Sequence, residues 1–237
     1  MAESSFRFRQ FTLIQEKSAA RIGSDSILLG AWANTGKGGR ILDIGTGTGI
    51  LALMAAQRNP AATIDAVEID PASAEEAKEN FQHSPWANRL RVVMGNILEI
   101  EMPHRYDRIL SNPPYFPSIP SPDPKRRQWR TADSLTPNAL LAFARDHLTE
   151  TGQLSVILPH DSARAMRALA SDHQLPLIRQ THLIQKRGKS PSRELLAFSR
   201  TSSPLLTTGL TLQIGGDKDL SVEAAELLRT FYPWLAE

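Results

Sequence analysis

Three glycines at alternate positions, Gly45, Gly47 and Gly49, follow the apolar run "RILDI" and precede "ILALMAAQRN". A glycine turn between a strand and a helix lets the backbone approach a ligand closely. The spacing differs from the dinucleotide fingerprint G-x-G-x-x-G, because the third glycine comes one residue early. An aspartate, Asp43, stands two residues before the first glycine. A carboxylate there repels a pyrophosphate and suits a ligand carrying an ammonium group. The next apolar run ends in "VEID", so Glu68 lies roughly 20 residues past the loop, where a carboxylate grips ribose hydroxyls. The third run ends in Gly95 and Asn96, and an amide oxygen there can accept from an adenine amine. Each signal is weak alone: glycine turns bind many nucleotides, and an acid at a strand end is often only a helix cap. At three successive strand ends they describe an amino-acid moiety, a ribose and an adenine, which sum to S-adenosylmethionine. The expected cofactor contacts are Asp43, Gly45, Thr46, Gly47, Gly49, Glu68, Ile69 and Asn96.

A second stretch, "YDRILSNPPY", ends an apolar run with Asn112, Pro113, Pro114 and Tyr115. One breaker is enough to stop a strand, and this one has two prolines between an amide and an aromatic ring. Proline fixes its own dihedral, removes a backbone donor and pushes the preceding Asn112 into an extended conformation. In isolation such a tetrapeptide reads as a strand stop with a core tyrosine.

The elements around these motifs alternate. Strands are expected at 40–45, 63–69, 89–95, 106–111 and 152–159, with helices fitting between most of them. Pro71 opens one helix and Thr136 caps another. The segments "LPLIRQTHLIQ" and "ELLAFSR" read as a closing pair of strands. Such alternation specifies a parallel sheet covered on both faces. Before it, "FRFRQFTLIQ" starts like an exposed strand and "SDSILLGAWA" reads as a short helix capped by Ser24. After it, "TSSPLLTTG" leads to a last strand and the helix "VEAAELLRTFY". The organisation expected is one domain, 1–237, with an N-terminal addition (1–35), a catalytic core (36–200) and a C-terminal addition (201–237).

Composition bounds the chemistry. Hydrophobic residues make up 41% of 237, enough for a real core, and there is no cysteine. Disulfides, thiolate metal sites and cysteine nucleophiles are therefore excluded. The sequence shows no signal-peptide or membrane-spanning segment, and the absence of cysteine fits a reducing cytoplasm; a monomer without a metal is expected. Net charge is only +2. The cations cluster, however, in "KRRQWR" (125–130) and "QKRGKSPSR" (185–193). These are either two solvated loops or a phosphate-tracking surface with an aromatic inside it. Lying directly after the "NPPY" strand end, the first cluster favours the second reading.

With "DIGTGTG" ending the first core strand and "NPPY" the fourth, the chain resembles the class I methyltransferases. The resemblance implies a Rossmann-like α/β fold, a seven-stranded mostly parallel sheet with helices on both faces. It also implies that the first and fourth strands are neighbours at the switch point, where ligands bind. In that family N-P-P-Y marks methylation of planar nitrogens. The Asn112 oxygen, which also borders the cofactor, and the Pro113 carbonyl would hold the two amine hydrogens. Pro114 would stiffen the turn, Tyr115 would stack on the flat substrate and Phe116 would form another wall. The opening, with "GSDSILLGAW", and the terminal "FYP" resemble the bacterial tRNA (adenine-N6)-methyltransferases that modify the base beside the anticodon of a valine tRNA. That family implies tRNA as partner, with Lys125, Arg126, Arg127, Arg130, Lys186, Arg187 and Lys189 along it. Gln10, Lys17, Gly23 and Asp25 would lie near the cofactor or the active-site mouth. Asn96 departs from the aspartate usual there, which implies weaker cofactor binding rather than lost function. Rival readings are guanine N2 methylation in rRNA, glutamine methylation in release factors, and a non-catalytic RNA-binding module. The 42 residues before Asp43 are too few for the helical domain that release-factor enzymes carry.

Overall fold

Alternation of side chains decides which face of each strand meets which helices. In the computed structural model, which describes residues 4–18, 21–113, 135–216 and 219–235, two apolar cores lie on opposite faces of one sheet. Along β3 (Arg40–Ile44), Ile41 joins one core while Leu42 and Ile44 join the other. Along β6 (Tyr106–Ser111), Leu110 and Ile109 divide in the same way. The first core is covered by α1 (Ser24–Trp32), α2 (Ile50–Arg58) and α6 (Val222–Leu228). The second is covered by α4 (Pro137–His147) and α5 (His160–Ala170).

The remaining strands are β4 (Thr63–Glu68), β5 (Leu90–Met94), β7 (Leu148–Pro159), β8 (Leu177–Lys186), β9 (Arg193–Ser199) and β10 (Leu206–Gln213). Their order is β10-β8-β9-β7-β6-β3-β4-β5, and only β9 runs against the rest. The sheet thus has eight strands where the resemblance implied seven. The extra strand, β10, pairs in parallel with β8 and extends that edge. Its first half is exposed, and only Leu210 and Leu212 enter the core. A short hairpin, β1 (Ser5–Arg7) with β2 (Thr12–Ile14), stands apart from this sheet. It buries Phe8 and Phe11, whose rings stack at 4.6 Å.

Local signals act where expected at two helices. Thr136 accepts from the Ala139 N–H at α4, and Pro71 sits in the first turn of α3 (Pro71–Gln82), capped by Asp70. At α1 the expectation fails: the N-cap is Gly23, and Ser24 is already helical with no side-chain cap. The C-terminal helix is also shorter than its pattern, ending at Leu228 before a single 3-10 turn at Pro233–Leu235.

Candidate active site

After β5 the chain returns past β3 to lay β6 on its other side, so β3 and β6 are neighbours while their onward connections diverge. Such a switch point leaves a crevice beyond the carboxyl ends of the strands. The last residues of the two strands, Ile44 and Ser111, are register partners, and the Ser111 hydroxyl donates to the Ile44 carbonyl at 2.9 Å. Gly45 and Asn112 therefore leave the sheet at one level. Both line a cavity of about 350 Å³, together with Thr46, Gly47, Thr48, Arg193 and residues 21–26. That volume suits a small-molecule site.

The loop needs glycine for two different reasons. Gly49, the N-cap of α2, has φ 88°, and a Cβ there would sit 2.5 Å from the Phe81 ring. Gly47 also has positive φ, 55°, but a Cβ there would meet nothing within 4 Å. The space beside Gly47 is open to a ligand.

Two carboxylates brace this loop. Asp43 is fully buried; one oxygen, Oδ2, accepts from the Thr46 hydroxyl at 2.6 Å and the Ala52 N–H at 3.2 Å. Its other oxygen is buried without a hydrogen-bond partner. Burial pushes its carboxyl up to about 7. Glu68, at the end of β4, accepts from the N–H groups of Gly47, Ile69 and Asp70 at 2.8–3.0 Å. Burial raises its carboxyl as well, against these hydrogen bonds. Ile69, beside it, is 53% exposed, an apolar surface at a strand end. Asn96 accepts from the Leu98 N–H and donates to Glu99, closing the turn after β5. Neither Asp43, Gly49, Glu68, Ile69 nor Asn96 lines the cavity that holds Asn112.

The half-buried Asn112 donates its amide nitrogen to the Ser26 hydroxyl at 2.9 Å. With the nitrogen engaged there, the amide oxygen is turned the other way as an acceptor. Pro113 is buried. Pro114, Tyr115, Phe116, Lys125, Arg126, Arg127 and Arg130 lie outside the described residues. Lys186 is exposed at the end of β8, and Arg187 and Lys189 on the turn after it. Gly23 and Asp25 line the cavity, whereas Gln10 is exposed on the β1–β2 turn. Lys17 pairs with Glu79 on α3 at 2.5 Å.

In sequence, Ser26 carries no signal beyond its place in "GSDSILLGAW", and Arg193 is one cation of the basic run 185–193. The pairing of Arg193 with Pro159 across β9 and β7 carries it to the cavity, where its Nε donates to Asp25 at 3.0 Å. Among the described residues no group of three or more His, Asp or Glu is placed to hold a metal, and no helix is long and apolar enough to cross a membrane.

A family profile described as methyltransferase small domain matches residues 18–172. The chain is 42% identical to the tRNA1(Val) (adenine(37)-N6)-methyltransferase of Bacteroides thetaiotaomicron over 234 residues, 98% of each chain. It is 39% identical to the protein of the same name from Cronobacter sakazakii, over 98% of this chain and 96% of that one. Among solved structures, a "predicted O-methyltransferase" from Agrobacterium tumefaciens superposes with a TM-score of 0.67 at 18% identity, covering 87% of this chain and 96% of that one. A methyltransferase from Pyrococcus furiosus superposes at 0.54 with 23% identity, over 71% and 78%. These two share the fold; the near full-length relatives go further, and the chain belongs to the tRNA1(Val) (adenine(37)-N6)-methyltransferase family of class I methyltransferases.

Proposed function

We propose that this chain transfers a methyl group from S-adenosylmethionine to the N6 amine of an adenine in tRNA, the base beside the anticodon of a valine tRNA. One observation carries the reading. The register of β3 with β6 brings the glycine loop and Asn112, 67 residues apart in sequence (112 − 45), to a common cavity. The names of the relatives supply the substrate class.

The residues fit this cofactor. Open space beside Gly47 and a buried Asp43 oxygen lacking a partner suit its amino-acid portion, the Glu68 carboxylate its ribose, and the exposed Ile69 at the same strand end its base. Asp43 faces the ammonium end through its unpartnered oxygen. Glu68 has lone pairs left for ribose hydroxyls after taking its three backbone N–H groups, and Asn96 keeps one for the adenine amine.

When bound, the cofactor supplies the electrophilic methyl group. The chain supplies positioning. An adenine amine is a poor nucleophile because its lone pair is delocalised into the ring. The Asn112 oxygen and the Pro113 carbonyl accept its two hydrogens, which favours a more tetrahedral nitrogen and aims the lone pair. Tyr115 stacks on the base, with Pro114 and Phe116 bounding it. Holding the reacting atoms in line is the main source of rate here, and no strong general base is needed. A stacked target base must first swing out.

Incubating the protein with unmodified tRNA and labelled cofactor, then analysing nucleosides by mass, tests this. The expected product is N6-methyladenosine; a methylated guanosine, or none, would overturn it.

A further inference from the structure

Beside the catalytic cavity lies a larger groove of about 550 Å³ that the reaction does not use. Its walls are mainly apolar: Ile27 and Leu28 of α1, Leu212 of β10, Leu220, and Tyr232 with Trp234 after α6. Two amides, Gln185 and Gln213, stand at its sheet end. Ser24 lines both this groove and the catalytic cavity, so only the first turn of α1 separates them. Both open at the carboxyl ends of the strands, since Gln185 and Gln213 lie near the ends of β8 and β10.

Trp234 is 65% exposed, an unusual place for the largest apolar side chain. It is not loose. Its ring stacks on Tyr232 at 4.3 Å and meets Phe6 edge-on at 6.4 Å. Tyr232 in turn stacks on the buried Phe8. The result is a braced aromatic ledge. At the sheet end of the groove, Arg187 donates its backbone N–H to the Gln213 carbonyl, which brings the exposed Lys186–Lys189 turn alongside. The nearby Asp219 carboxylate is turned back onto the Gly216 N–H. An aromatic ledge and a cationic turn bordering one groove are the chemistry of single-stranded nucleic acid: bases stack, and phosphates meet Lys and Arg. The groove's volume of about 550 Å³ can admit a base edge, and Gln185 carries an amide of the kind that hydrogen-bonds one.

We propose that this groove holds a nucleobase flanking the target adenine, stacked on Trp234, with its phosphate beside Lys186 and Arg187. The proposal rests on the RNA-methylating reading above and adds a second base subsite to it. Extruding one base from a loop leaves its neighbour unstacked, and a groove one helical turn from the cavity takes that neighbour up.

The test couples protein and RNA changes. Methylation of an anticodon stem-loop is compared with that of versions carrying one abasic nucleotide immediately 5′ or 3′ of the target. For the unaltered protein, one abasic position lowers kcat/KM roughly 5- to 150-fold, the range of base–aromatic stacking. Trp234→Ala suffers a similar loss on the intact RNA and no further loss on that abasic RNA, while Trp234→Phe recovers most of it. Cofactor affinity and melting temperature, measured alongside, stay unchanged in both variants. Additive losses, or Trp234→Ala acting as the parent does, would overturn the subsite. So would sedimentation as a dimer that Trp234→Ala dissociates, since a second copy would then fill the groove. Absence of N6-methyladenosine from the intact RNA would instead remove the underlying reading, and the subsite with it.

Discussion

Asn112 has one amide to divide between two tasks, and Ser26 resolves the division. Because its nitrogen is committed to the Ser26 hydroxyl, its oxygen is presented as the acceptor the proposed chemistry needs. Asn112→Ala should lower kcat by roughly 100-fold or more, the scale of losing one positioned polar group. The cofactor Kd should stay within about twofold; turnover assays and calorimetry check both, and undiminished turnover would discard the mechanism. Asp43 carries a separate prediction. Its carboxyl is raised from 3.8 to about 7 by burial, so the protonated form favours the fold. That contribution is complete below the unfolded value and is lost as pH rises through the folded one. The loss is on the order of 4 kcal/mol between pH 4 and 7. Asp43→Asn removes this dependence, so denaturant melts should show the variant gaining on the parent from pH 5 to pH 8. A constant difference would mean that Asp43 stays ionised throughout.

At the scale of elements, α3 ties the N-terminal segment to the glycine loop. Asn80, fully buried, exchanges hydrogen bonds with both backbone groups of Ile14 and also donates to the Thr48 carbonyl. One turn away, the buried Glu76 carboxylate accepts from the backbone N–H groups of Glu16, Lys17 and Ser18. Three successive donors around one carboxylate make a tight anion nest. The 16–18 backbone is thereby fixed beside the cavity that residues 21–26 line. Glu76→Ala leaves those donors unmet and should cost about 3 kcal/mol. Limited proteolysis should then cut near residues 15–20 first, and a cofactor Kd unchanged by the substitution would separate this segment from the site.

For the whole molecule, charge distribution matters more than its sum. A net charge of +2 gives little general attraction to RNA. Among the described residues, cations near the carboxyl ends of the sheet include Arg21 and Arg193 in the cavity wall, Lys186 at the end of β8, and Arg187 and Lys189 on the turn after it. Arg126 and Arg127, following the "NPPY" strand end in sequence, are proposed to extend this surface. Reversing both to Glu should weaken tRNA binding and flatten the slope of log affinity against log salt by roughly 1 to 2. Filter-binding titrations across a salt series measure it, and an unchanged slope would leave these residues as solvated cations.

Much of this protein was legible from local pattern. Apolar runs of strand length and Pro71 and Thr136 at helix starts act within a few residues of themselves and appear close to where the pattern puts them, although the strand expected at 152–159 begins already at Leu148. Ser24 misled because a capping residue type was present while the chain turned one residue earlier, at Gly23. What the sequence could not determine alone was which distant residues share a wall. Ser26 with Asn112, Glu76 with the 16–18 backbone, Arg193 with Asp25 and the Trp234 ledge with Phe6 are separated by about 60 to 230 residues. Those pairings follow from strand order and register, and these are decided by how the whole sheet buries both faces rather than by any short stretch.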